Sequence, residues 1–399
     1  MMNNLWQSNT PQQFWSLEEP LPDDVWHEAI TQALPILALQ VSADDVPGLL
    51  ETTLGEGQFG EDHWELGLAK RAYYLLKPIL PRTLTRRLRQ AYTVKDFALS
   101  WPIEDRYVRF LWEVMRQVLR LSGKSELRFR QFWPDQNQFA FTITHDIETH
   151  AGQGHVRAVA DLEEQHGFRS SFNFIPERYP IDQALMSELR ERGFEVGLHG
   201  LYHDGKLFSS KATFMRRAKR INQHLAAYHA SGFRAPLTHR HPQWMQELKI
   251  EYDLSFFDTD PHEPIPGGTM SIWPFTLGHF IELPYTLLQD YTLVNVLQES
   301  SPKVWLDKVA FLKQYNGLAL VNVHPDYLLA KNSWDIYTEF LGSMQQMRSQ
   351  FWHDLPCNIA RWWKQRSQAD TAAEFTTARL VDDVLLINGK DSLPAQEKE

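Results

Sequence analysis

At 399 residues the chain is longer than one small domain requires, although a single α/β barrel can absorb about 250. Its 43% hydrophobic and 13% aromatic content supplies a core and argues against wholesale disorder, while a net charge of −10 favours solubility and excludes general nucleic-acid binding. The single cysteine, Cys357, rules out an intrachain disulfide and fits a reducing compartment.

The first residues, MMNNLWQSNTPQQFW, lack a basic stretch followed by an apolar core, and no run reaches the roughly 18 to 20 apolar residues of a membrane span. No signal peptide and a cytoplasmic address are therefore expected. Residues 1–137 read as mostly helical and irregular. LPDDVWHEAITQALPIL opens with an acidic first turn and spaces Val25, Ile30 and Leu34 as a helix does. DRYVRFLWEVMRQVLRLSG is helically patterned and stops at Gly123. Between them, Lys70 to Lys95 carries eight basic residues and no acidic one. An amphipathic helix with a solvated basic face accounts for that run, and a peripheral contact with anionic lipid is its alternative.

From residue 138 short apolar runs alternate with helical stretches, which predicts parallel strands joined by helical crossovers. Seven strands are expected, at 139–144, 171–175, 195–198, 233–235, 254–257, 280–284 and 318–323. The fold class predicted is α/β: a distorted (β/α)7 barrel over 138–366, preceded by the helical N-terminal region. Residues 367–399 end the chain, with ARLVDDVLLING as a small β-hairpin covering an edge and a frayed tail.

In such folds the strand C-terminal ends share one face, and sites form there. Asp146 and Glu148 follow the first strand, His199 and His203 the third, and Arg234 lies on the fourth. Asp258 and Asp260 follow the fifth, and His324 the seventh. Two imidazoles and one carboxylate would leave a coordination position open for water, as in catalytic zinc sites. Nitrogen and oxygen donors without thiolate also suit cobalt, nickel, iron or manganese. With two carboxylates, one can bind metal while the other takes a proton. A zincin motif is excluded, because Gly200 rather than Glu follows the first histidine. His145, His239 and His241 lie near these motifs and are read as structural.

Over about 138–330 these residues resemble the polysaccharide deacetylase family with the NodB homology domain, carbohydrate esterase family 4. The likeness is to the branch whose first motif reads His-Asp-Val-Asp or Asp-Val-Glu. The resemblance implies a barrel of NodB type, with Asp146 as general base and Glu148, His199 and His203 as metal ligands. It further implies that Arg234, in the Arg-x-Pro motif with Pro236, pairs with the base and that His324 is the general acid. Asp258 or Asp260 would support that acid. This sequence departs from the pattern at three places: Leu237 replaces an aromatic residue, Asn322 replaces a leucine, and the tryptophan closing the fourth motif is missing. Leu237, Asp260 and Asn322 are accordingly expected at the substrate. The function expected is a metal-dependent N-deacetylase of a sugar or glycoconjugate, with zinc as first choice of cofactor. Hydrolysis of a small amide or ureide by the same site is the alternative, and a catalytically silent carbohydrate-binding protein a third possibility. Oligomeric state is left open.

Overall fold

The computed structural model describes residues 5–61, 63–65, 97–367, 374–388 and 390–391. The basic run from Lys70 to Lys95 lies outside the described residues. Near the N-terminus, α1 (Pro11–Trp15) is closed by a capping box between Thr10 and Gln13. It leads to α2 (Asp23–Ala33), with Asp23 and Asp24 in the first turn, and to α3 (Val46–Thr53). The long α4 (Arg106–Ser122) buries a continuous stripe that includes Phe110, Leu111 and Val114 and ends on Gly123 at φ +67°.

A strand not anticipated from the sequence, β1 (Glu126–Arg130), follows α4. It pairs antiparallel with the C-terminal strand β11 (Phe375–Val381), Leu127 opposite Ala378. The predicted hairpin is β11 and β12 (Val384–Ile387), extended by β13 (Lys390–Asp391). The segment after α4 and the C-terminal strands thus share one small sheet. Only five residues long, β1 makes sense as a strand only beside a partner about 250 residues away, which no local pattern announces.

The larger sheet holds seven parallel strands, six of them overlapping the expected spans: β2 (Phe139–Ile147), β3 (Ser171–Phe174), β4 (Glu195–His199), β5 (Gly232–Arg234), β6 (Tyr252–Asp253), β8 (Phe280–Glu282) and β9 (Leu318–Val323). Two short additions flank it, β7 (Phe275–Leu277) antiparallel to β8, and β10 (Phe351–His353) parallel to β2. Helices α5 (His150–Gln165), α6 (Gln183–Glu191) and α7 (Lys211–Ala227) make the first three crossovers. Further on, α8 (Lys303–Gln314), α9 (Lys331–Gln346) and α10 (Pro356–Arg366) complete the helical layer. Every residue of β2 is buried, as a strand covered on both faces must be. The sheet curls until its ends meet. Beyond β8, Tyr285 bridges to Phe257 and Leu287 bridges to Val321 of β9. The result is a distorted (β/α)7 barrel.

The fifth strand departs from the expected 254–257. Regular pairing stops at Asp253 because side chains take the backbone donors that a ladder would use. Asp253 accepts the Ser255 N–H at 3.0 Å, and Glu282 accepts the Phe256 N–H at 3.1 Å. The N-terminal region packs on this irregular side. Trp6 contacts Phe256 and Phe275, and Asn9 exchanges two hydrogen bonds of 2.8 Å with the backbone of Thr276.

Candidate metal centre and catalytic cavity

Alternation along β2 sends neighbouring side chains to opposite faces. His145 turns toward the helical layer, where its ring bonds the Val323 carbonyl at 2.9 Å and Glu163 of α5 at 2.6 Å. It is structural, as expected. Asp146 turns into the barrel. Glu148, just past the strand end, has its backbone N–H tied to Asp326 at 2.8 Å.

On β4, Nδ1 of His199 lies 3.2 Å from the Arg234 carbonyl. A carbonyl only accepts, so Nδ1 carries the proton and Nε2 keeps its lone pair for a ligand. His203 follows on a turn in the left-handed region, φ +55°, with its Nε2 3.0 Å from Glu148 Oε1. Such a conformation costs a non-glycine residue about 1–3 kcal/mol and persists where the surroundings enforce it. Gly200 joins the two histidines at φ +62°, where a Cβ would come within 2.2 Å of Pro236. The glycine between the histidines and the proline after Arg234 are thus one packing unit. One donor atom from each of Glu148, His199 and His203 lies within 4.8 Å of the others. Two imidazoles and a carboxylate withdrawn from bulk water fit a divalent cation such as zinc.

Asp146 is beside this group. Its Oδ1 is 3.8 Å from His199 Nδ1, and its Oδ2 is 3.5 Å from Arg234 Nη1 and 3.9 Å from His324 Nε2. Burial pushes its carboxyl pKa up, but His199, Arg234 and His324 outweigh burial and hold it well below the carboxylate range. Two amides fix its orientation, Asn173 donating to Oδ1 and Asn322 to Oδ2, each at 3.0 Å. Asn322 is fully buried and donates to Asp146, so it corrects the expectation of a substrate contact. Asn173 was not singled out from the sequence, although a polar residue inside the apolar run SSFNFIP is a usable signal. Room for it comes from Gly197, whose Cβ would stand 2.0 Å from Asn173 Oδ1.

A second correction concerns the partner of His324. Asp290, from the irregular segment after β8, accepts from His324 Nδ1 at 2.7 Å and from the His324 backbone N–H at 2.8 Å. Asp258 instead pairs with Lys308 of α8 at 2.7 Å. Asp260 is wholly buried, accepting from the Tyr285 hydroxyl at 3.2 Å and the His262 N–H at 2.7 Å. It therefore corrects the expectation of a substrate contact there. The reason lies in β6: with the strand cut short, Asp258 and Asp260 turn into packing while the chain beyond β8 comes up beside His324. Burial would lower the His324 pKa, but Asp290, aided by Glu148 and Asp146, overrides burial and raises it to about 10.

Asp146, Glu148, His199, His203 and His324 open on a cavity of about 650 Å³. Leu237, at φ +61°, forms part of its wall, as do Thr238, Glu263, Arg178 and Tyr327. Among the other histidines near the motifs, His239 is buried and His241 stacks on Trp244 with ring centroids 4.0 Å apart.

No protein-family model matches the chain, and no curated protein matches it in sequence. Solved structures similar to it include a protein assigned as a polysaccharide deacetylase from Mycobacterium smegmatis, at TM-score 0.48 and 16% identity, covering 61% of this chain and 96% of that one. The allantoinase PuuE is similar at TM-score 0.46 and 14% identity, covering 59% and 93%. The peptidoglycan deacetylase PdaC from Bacillus subtilis is similar at TM-score 0.39 and 14% identity, covering 58% and 95%.

Proposed function

We propose that this chain is a metal-dependent hydrolase that removes an N-acetyl group from a sugar or glycoconjugate. The observation that carries this reading is the convergence of Glu148, His199 and His203 within 4.8 Å, with Asp146 and His324 alongside, at a cavity of about 650 Å³. That volume lies in the range of sites that enclose a substantial ligand. Glu148, His199 and His203 would hold the cation, zinc by preference. When bound, such an ion activates water and polarises the acyl carbonyl.

The side chains of the chain divide the rest of the work. Asp146, kept ionised, takes a proton from the attacking water. Arg234, Asn173 and Asn322 hold its carboxylate in place. His324, kept protonated by Asp290, delivers a proton to the nitrogen of the departing amine. Acetate and a free amino sugar are the products. Leu237 supplies an apolar surface beside the acyl group.

Metal analysis of wild type and His203→Ala, coupled to an acetate-release screen on N-acetylhexosamine glycans, tests this. One equivalent of divalent metal and acetate release in wild type, both lost in the variant, are expected. Ammonia or urea release from small amides without acetate release would favour the small-amide reading. A protein that binds no metal and is unchanged by His199→Ala would be a carbohydrate-binding protein without catalysis.

A further inference from the structure

The cavity wall formed by Leu237 and Thr238 is held from a distant part of the chain. Leu237 and Thr238 are consecutive non-glycine residues in the left-handed region, at φ +61° and +51°. Such angles are costly for residues with side chains, so external contacts must enforce the turn. One is Thr238 Oγ1 donating to Glu263 at 2.6 Å. The other is Arg240, whose Nη1 donates to the Thr238 carbonyl at 3.0 Å.

Arg240 is itself wholly buried, and its partner comes from the N-terminal region. Glu56, also wholly buried, accepts from Arg240 Nε at 2.8 Å and from Nη2 at 2.6 Å. This two-pronged pairing orients the guanidinium so that Nη1 aims at Thr238. The fork lies over the Phe257 ring, 4.4 Å from its centroid, with Trp64 on another side at 5.3 Å. Glu56 is positioned with equal care. Its backbone takes φ +56°, and its Oε1 accepts the Gly268 N–H at 2.6 Å. A Cβ on Gly267 would come within 2.3 Å of that carboxylate, so the pair of glycines in PIPGGTM makes its berth.

We propose that Glu56 and Arg240 are positioning residues that set the shape of the substrate-facing turn, so that the N-terminal region is part of the catalytic unit. The carboxylate of Glu56 fixes the fork, the fork fixes the Thr238 carbonyl, and the carbonyl fixes Leu237 against the substrate. The consequence for activity rests on the hydrolase reading above, whereas the consequence for the turn does not.

The test uses the full chain loaded with zinc and two variants, Glu56→Gln and Arg240→Lys. The lysine keeps a charge for Glu56 but cannot reach both partners, and it guards against a Glu56→Gln protein that fails to fold. Amide hydrogen exchange over residues 237–240 should quicken about tenfold in the variants while β2 and β9 exchange as in wild type. On N-acetylglucosamine oligomers kcat/KM should fall about tenfold, mostly through KM, with zinc content unchanged. Exchange over 237–240 that is unchanged in Arg240→Lys overturns the proposal. So does faster exchange with no change in kcat/KM. If wild type releases no acetate, the hydrolase reading fails, and the exchange measurement still decides whether Glu56 holds the turn.

Discussion

Asp290 holds His324 twice, through the ring Nδ1 at 2.7 Å and through the backbone N–H at 2.8 Å. The double contact fixes the ring's orientation, leaves Nε2 facing the cavity, and supplies the negative charge that keeps the ring protonated despite burial. Neutralising that charge in Asp290→Asn lets burial prevail, so the His324 pKa falls from about 10. A general acid must be protonated, and the alkaline limb of the pH–rate profile should therefore move to lower pH. At pH 8, kcat should drop about 100-fold, the scale of general acid catalysis. A pH–kcat profile identical to wild type would remove His324 from that role.

Asn322 stands where the resembling family has leucine, and it donates to Asp146 at 3.0 Å. Asn322→Leu should therefore act on the base and leave substrate binding alone. A fall in kcat of about tenfold with KM unchanged is expected, the pattern of a lost transition-state interaction. Steady-state kinetics decide: a rise in KM at constant kcat would return Asn322 to the substrate.

Gly200 has neither the space nor the backbone angle for a side chain, since a Cβ would lie 2.2 Å from Pro236 at φ +62°. Gly200→Ala should cost about 1–3 kcal/mol of stability. Because the displaced backbone carries His199 and His203, zinc affinity should weaken as well. Thermal unfolding and a competitive chelator titration measure the two effects, and wild-type values in both would show that Pro236 yields freely.

Glu56 gives the pH dependence of folding a defined sign. Burial alone would raise its pKa, but Arg240 and His63 lower it from 4.5 to about 2. A depressed carboxylate contributes stability that is complete above pH 4.5 and disappears as pH falls toward 2. The contribution is on the order of 3 kcal/mol. Denaturant unfolding at several pH values should show wild type losing that share between pH 4.5 and 2, with a shallower loss in Glu56→Gln. Parallel slopes would mean that the pair contributes nothing through this proton.

Much of the barrel and the meeting of Glu148, His199 and His203 was legible in the sequence, because parallel crossover strands put all their C-terminal ends on one face. Once strands ending near Asp146, His199, Arg234 and His324 are read from apolar runs, their meeting follows from topology alone. Position within the strand also settles that His145 and Asp146 point opposite ways. Three things were decided only by tertiary structure. Asp290 displaced Asp258 and Asp260 beside His324 because carboxylates interrupt β6 and reroute the chain. Asn173 and Asn322 became the clamps of Asp146 because three strands bring them to one carboxylate. Strand β1 and the Glu56–Arg240 pair join segments separated by 180 residues or more, as in the 184 between Glu56 and Arg240. Local periodicity records which face of an element is buried, whereas the partner of a buried charge depends on how remote segments pack, and no spacing rule carries that information.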